Sequence, residues 1–507
     1  MATLIFENYE LNYTYYRAKP DNPTVLFIHD LCMESAMWQP LLLGIERQFN
    51  ILTYDFYSHG QSTDGEAALS LELLLKELTA LLRHLHLHKV HVVGCRYSAI
   101  VAFELAIQAP ESVASLTLMS MPFYVQSHSY AREAATNVQL LLLDHQLFEK
   151  RYMMQSVHPV SIAKSRTIIH ALRSVADRHV ISAIRELNSR IQTPDFNLIG
   201  KLKRLRIPAL FMHGEYDPVY PAALAMIFSG YAPNHRFVLV PDASALIPLD
   251  QPKFALAAFK RFMDDKMYSN SLTPDGMKMI NGLNAIVEKA LKSQVVMHRS
   301  LQLSVLNGHT SVYWNGQELA GKWNKRNAQG LLLFIILNHG AVKRDMIIDA
   351  FTPDMAVSQA RNHLRVQLSY LNNLFRNQPD PALHDLLMIS RDSVALNARG
   401  ESDIGIFIRN IENLQWSKKP ADERSRIFLA YLEDYSPETL STFNGDWSRQ
   451  LESNLRNKLS RAMAQILLDL RNEKDHLRIR KVLKKGKIVE PYEGFCKSWM
   501  EALSGGK

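Results

Sequence analysis

The stretch Val92-Val93-Gly94-Cys95-Arg96-Tyr97-Ser98-Ala99 constrains the first half of this chain more than any other. An apolar run from Val90 to Val93 reads as a buried strand. A helical pattern of Ile100, Val101, Phe103 and Leu105 starts almost at once after it. The backbone must therefore pass from strand to helix through a sharp turn at Gly94. Further apolar runs at Thr24–Ile28, Ile51–Asp55, Ser115–Met119, Ile207–Met212 and Arg236–Val240 alternate with helical stretches. That alternation predicts an α/β architecture with a buried sheet.

The chain has 507 residues, too many for one core, so several domains are expected. Its apolar fraction of 47% suits a globular protein, and no run reaches the length of a membrane span. The N-terminal residues lack a basic region followed by a long apolar one, so no secretory signal is read. Cys32, Cys95 and Cys496 are isolated and form neither a disulfide nor a metal pattern. The expected location is cytoplasmic, away from membranes. The net charge of +8 is uneven. Residues 1–296 hold 28 basic against 27 acidic side chains, 297–399 hold 11 against 7, and 400–507 hold 19 against 16. A polyanionic partner would belong to the second half.

The strand, turn and helix around Gly94 resemble the nucleophile elbow of the α/β-hydrolase family. Laid on that motif, Gly94 fits the first glycine, Arg96 stands where the nucleophilic serine belongs, and Ser98 replaces the second glycine. A guanidinium stays protonated and has no lone pair to attack a carbonyl. The segment His29-Asp30 resembles the family's oxyanion loop, with Asp30 in place of a glycine. That carboxylate either opposes a developing oxyanion or caps a helix. Asp55 to Ser62 resembles a family turn with Ser58 in place of its first glycine. In Gly214-Glu215-Tyr216-Asp217, Asp217 falls on the triad acid. Ser244-Ala245 stands where the family has Gly-His, so the base is missing at Ala245. The resemblance thus implies the fold with a degenerate triad at Arg96, Asp217 and Ala245, and no catalytic residue.

Residues 123–197 read as helices and would form the family's lid over a pocket. His29, Asp30, Arg96, Tyr97 and Asp217 are the candidate pocket residues. Arg96 and Asp217 are expected to pair if their positions converge, or to hold a carboxylate or other anionic small molecule. A scaffold used only for protein contacts is the alternative. Residual chemistry through Ser98, Ser244 or Cys95 is a third. His84, His86, His88 and His91 read as solvated helix-end histidines without metal spacing, so no metal and no cofactor is expected.

Residues 266–296 read as a linker and connecting helix, closing a first domain at 1–265. Beyond it, alternating residues from Val296 to Trp314, the hairpin pair Asn315-Gly316, and helical patterns at 327–338, 342–350 and about 358–375 follow. Ser358 is the expected cap of the last of these. Leu387 to Asn397 reads as a closing hairpin. This string resembles the OmpR-like winged helix-turn-helix of bacterial antibiotic-regulatory activators, over 297–399. Residues 400–507 resemble the repeat-like helical activation domain that follows it there.

In the last winged-domain helix Ala360, Leu364, Leu368, Leu371 and Phe375 form a core stripe. Arg361, Asn362, Arg365, Gln367, Ser369 and Asn372 would face the major groove, while Lys343, Arg344 and Arg391 would sit on phosphates. The expected function is therefore a sequence-specific transcriptional regulator, an activator by resemblance. Its partners would be double-stranded DNA and RNA polymerase, and paired half-sites would suit a homodimer. The alternatives are a hydrolase, active or residual, fused to a DNA-binding domain, or a hydrolase-like scaffold for assembly.

Overall fold

The structure is a computed structural model describing residues 2–123, 127–192, 196–264, 299–306, 310–415, 419–435 and 446–504, with the single positions 282, 440 and 443. The expected linker and connecting helix at 266–296 lie outside the described residues, position 282 apart. The chain divides into two compact units, Met1–His298 and Arg299–Lys507.

The first unit is built on an eight-stranded sheet. Its strands are β1 Ala2–Phe6, β2 Tyr9–Tyr16, β3 Thr24–Ile28, β4 Asn50–Tyr54, β5 Val90–Cys95, β6 Val113–Met119, β7 Ala209–Gly214 and β8 His235–Val240. The order is β1-β2-β4-β3-β5-β6-β7-β8. β1 and β2 pair antiparallel, as do β2 and β4, and β4 to β8 run parallel through β3 and β5. Every residue of β3, β4 and β7 is buried, as a parallel sheet covered on both faces requires.

Two covering helices matter for the site. α1 Leu71–His84 is capped by Ser70, whose hydroxyl accepts from Leu73 N–H at 3.1 Å. α2 Tyr97–Gln108 leaves the elbow and is buried along most of its length. Between β6 and β7 come the helices expected as a lid: α3 Ser127–Leu143, α4 His145–Ser156, α5 Ile162–Ser174, α6 Asp177–Gln192 and α7 Leu198–Arg204. α8 Ala222–Ser229 and α9 Pro252–Asp264 complete the unit. The α/β-hydrolase fold with a helical lid is therefore present.

α1 carries a buried carboxyl, Glu77. Its Oε1 accepts from Tyr9 O–H at 2.5 Å and Tyr57 N–H at 3.2 Å, while Oε2 has no hydrogen bond. Burial pushes the Glu77 carboxyl up to about 8 from its ordinary 4.5. Folding then favours the protonated form. The stability this group allows is full below about pH 4.5 and is lost as the pH rises towards about 8. Glu77→Gln should melt at a temperature increasingly above the parent's as the pH is raised through this window. A constant difference would contradict the assignment.

The second unit begins with β9 Ser300–Ser304, β10 Ser311–Trp314 and β11 Gln317–Glu318. Asn315 and Gly316, with φ of 50° and 83°, make the left-handed turn joining β10 to β11. Then follow α10 Ala328–Leu337, β12 Ala341–Lys343, α11 Arg344–Phe351, α12 Val357–Arg376, β13 Leu387–Ile389, β14 Ser393–Leu396 and β15 Arg399–Ser402. The strands form two sheets, β11-β10-β9-β15 and β12-β14-β13. α12 starts at Val357 behind Ala356, with no side-chain cap, so the expected cap at Ser358 is corrected.

Five helices complete the unit: α13 Asp403–Gln415, α14 Ala421–Asp434, α15 Asp446–Asn472, α16 His476–Gly486 and α17 Phe495–Ser504. They share one apolar core with the strands and helices before them. Trp447 of α15 packs 5.6 Å from Phe334 and 5.2 Å from Phe351, ring centre to ring centre. Asp403 joins the parts further, since its Oδ2 accepts from Ser304 O–H and from the N–H groups of Val305 and Leu306 at 2.7–2.9 Å. The position expected to separate two domains, 399/400, thus falls inside a strand paired with β9.

Candidate functional site: a latched elbow and an arginine cleft

The elbow keeps its strained backbone although its residue has changed. Arg96 adopts φ 54° and ψ −118°, sparsely populated for any residue with a side chain. Gly94 is required there, because an added Cβ would lie 2.5 Å from Ser98 O and 2.8 Å from Ala99 N. Ser98, standing for the second glycine, donates to Ile28 O at 2.7 Å and accepts from Cys95 N–H at 2.8 Å. Its hydroxyl braces the turn.

Arg96 does not pair with Asp217, and that expectation is corrected. The guanidinium Nη1 lies 3.3 Å from Asp30 Oδ2. Asp30 Oδ1 accepts from Tyr97 N–H at 3.0 Å, so the carboxylate also caps α2. Burial raises the Asp30 carboxyl to about 6 although Arg96 beside it acts in the opposite sense. The two departures from the family pattern, a cation at the elbow and an anion in the oxyanion loop, therefore form one ion pair.

The same guanidinium reaches the lid. Arg96 Nη1 donates to Tyr152 Oη at 3.1 Å and to Ser156 Oγ at 3.2 Å, and its Cζ stacks 5.3 Å from the Tyr152 ring centre. Ser156 O accepts from Leu246 N–H at 2.7 Å, directly after Ala245. Close by, Asp250 Oδ2 accepts from Ser244 N–H at 2.8 Å and His158 N–H at 2.9 Å, and Oδ1 pairs with Lys164 Nζ at 2.5 Å. The end of α4 is thus latched to the two loops that would carry nucleophile and base. Tyr152, Ser156 and Lys164 were not foreseen, because no local pattern links a lid helix to residues so distant in sequence.

The other candidates are held as structure. His29 donates from Nδ1 to Asp30 O at 2.7 Å and accepts at Nε2 from Phe56 N–H at 2.9 Å. Burial lowers its basicity, so it stays a neutral brace. Tyr97 is buried in the core and its N–H serves Asp30. Asp217 Oδ1 accepts from the N–H groups of Val219 and Tyr220 at 2.9 Å, and Oδ2 lies 3.4 Å from His213 Nε2. His213 itself donates to Tyr220 O at 2.5 Å. The acid position keeps a turn-forming role. Cys95 is buried, and burial pushes its thiol well above the ordinary range. Ser244 is buried with an unbonded hydroxyl. Among the described residues no group of His, Cys, Asp and Glu is placed to hold a metal. No described helix is long and apolar enough to cross a membrane.

In the second unit three elements meet at one cleft. Arg344 and Asp345 come from α11, Arg361, Asn362 and Arg365 from α12, and Arg391 and Asp392 from the β13–β14 turn. The cleft measures about 440 Å³. Arg344 is fixed by its N–H to Asp392 O at 2.8 Å and by Nη1 to Arg391 O at 3.3 Å. Arg361 is exposed, 3.9 Å from Asp345. Arg365 and Ser369 are exposed, as is Lys343 at the end of β12. Gln367 is corrected: it is 7% exposed and lies on the core stripe with Leu364, Leu368 and Leu371. Asn372 is half-buried, with a buried and unbonded Oδ1, and does not belong to the outer face.

A family model described as alpha/beta hydrolase fold matches residues 23–252. The chain is similar to 3-oxoadipate enol-lactonase 1 of Acinetobacter baylyi, 24% identical over 251 residues, 48% of this chain and 90% of the relative. It is also similar to 2-(acetamidomethylene)succinate hydrolase of Mesorhizobium japonicum, 24% identical over 259 residues, 49% of this chain and 90% of the relative. Among solved structures, an esterase from Thermogutta terrifontis aligns with TM-score 0.45 and 20% identity, covering 50% of this chain and 93% of that one.

Proposed function

We propose that this chain, whose N-terminal domain is a member of the α/β-hydrolase family, is a sequence-specific DNA-binding transcriptional regulator. In this reading the hydrolase-fold domain has given up hydrolysis and serves regulation. The observation that carries the reading is the cleft where Arg344, Arg361, Asn362, Arg365 and Arg391 converge from three elements. Guanidinium and amide groups on an exposed helix face suit base edges, and flanking arginines suit phosphates. The strand and helix order of the second unit agrees with a winged helix-turn-helix, α12 being the reading helix. Activation through RNA polymerase, a homodimer on paired half-sites and a cytoplasmic location belong to this proposal.

The elbow supports the loss of hydrolysis. Arg96 carries no attacking lone pair, Ala245 has no group that can take up a proton, and Asp30 puts a negative charge where an oxyanion would grow. The Arg96–Asp30 pair also balances its own charge, so a free anion gains little from it while the lid stays latched. A ligand would have to displace Tyr152 and Ser156 from Arg96, which couples binding to movement of α4.

Selection of duplexes from a random pool by the intact protein tests the proposal. One enriched motif is expected, and recovery of unrelated sequences only would contradict it. The relatives' names favour a second reading, an esterase or lactonase fused to this second unit. Assay with p-nitrophenyl butyrate separates the two. Turnover should match buffer alone, and enzymatic turnover lost on Ser244→Ala would support the second reading instead.

A further inference from the structure

We propose that the groove between α14 and α16 is a docking surface for an acidic amphipathic helix of a partner protein. Arg426, Leu429, Ala430 and Glu433 recur at helical spacing on one face of α14. Lys481, Lys484 and Lys485 do the same on α16. Together they line a cleft of about 510 Å³. Leu429 and Ala430 form its apolar bed, and Leu477, one turn before Lys481 on α16, is strongly exposed. On its other face α16 buries Ile479, Val482 and Leu483, which fixes the helix and so holds the lysines in place.

The charges are only partly used within the chain. Lys485 pairs with Glu433, and Arg426 pairs with Asp422 at 3.0 Å. Lys481 and Lys484 have no carboxylate partner among the described residues. They stand one helical turn apart, matching carboxylates one turn apart on a facing helix. The apolar bed calls for an apolar side chain between those carboxylates, and the cleft volume suits one. A nucleic acid fits less well, since a row of phosphates makes no use of Leu429 and Ala430. This surface is independent of the arginine cleft.

The probe is a fluorescein-labelled helical peptide with glutamates one turn apart beside leucines, titrated into the full chain. Saturable binding is expected. Lys481→Glu with Lys484→Glu, and separately Ala430→Trp, should each weaken it by about tenfold or more, with melting temperature unchanged. Three results would overturn the proposal. They are affinity unchanged in both variants, equal affinity for the peptide with serines for leucines, and full competition by random duplex in protein carrying Arg361→Ala and Arg365→Ala.

Discussion

Changing Arg361 and Arg365 together to alanine should, on the proposed DNA-binding role, lower affinity for a selected duplex by roughly one and a half to four orders of magnitude, at roughly 1–3 kcal/mol for each arginine that reads a base. Both side chains project from the exposed face of α12 into the cleft shared with Arg344 and Arg391. Neither is consumed by the fold, since Arg361 has only a 3.9 Å contact with the exposed Asp345. The loss should be sequence-selective, with discrimination at particular base pairs relaxed. Arg391→Ala should act differently. It should weaken all duplexes alike and reduce the salt slope by about one, as removal of a phosphate contact does. Gln367→Ala should leave sequence preference intact, because Gln367 is buried against the core. Anisotropy titrations over a range of salt measure all three.

Arg96→Ala destabilises the first unit by about 3–5 kcal/mol at pH 8, the usual cost of stranding one partner of a buried ion pair. Asp30 is 4% exposed at its side chain and would be left without its cation. The hydrogen bonds to Tyr152 and Ser156 go as well, so the end of α4 should exchange its amide hydrogens faster. The sign of the pH dependence follows from Asp30, whose carboxyl is already raised to about 6. Its charged form is the one that suffers without Arg96, so the penalty is largest above that pH and shrinks as the pH falls and Asp30 protonates. Adding Asp30→Gly removes the stranded charge, and the double variant should be more stable than Arg96→Ala alone. Denaturant melts at pH 8 and pH 5 read both effects. Equal penalties at the two pH values, or no recovery in the double variant, would contradict the ion-pair assignment.

The sheet was legible because its strands are continuous apolar runs, and the elbow because Gly94 sits between such a run and a helical pattern. The departures at Arg96 and Ala245 were legible too, since a chemical role forbids those residue types. What became of them was not. Arg96 chose Asp30 and the lid over Asp217, a matter of which loop brings its side chain nearest, and no local pattern encodes that. The Ser156–Leu246 contact depends on the path of a long helical excursion, so it lay out of reach for the same reason. Gln367 is different. It falls three residues after Leu364 and four before Leu371, so helical periodicity alone puts it on the core stripe, and its polar type misdirected the assignment. Ser358 misled similarly, a good capping residue placed one position inside the helix.

A crystal structure of the intact protein bound to its selected duplex would decide whether α12 reads DNA. The N-terminal half of α12 is expected in the major groove, with Arg361, Asn362 and Arg365 within hydrogen-bonding distance of base edges. Arg344 and Arg391 are expected on flanking phosphates. A duplex held elsewhere, with α12 left facing solvent, would contradict that role.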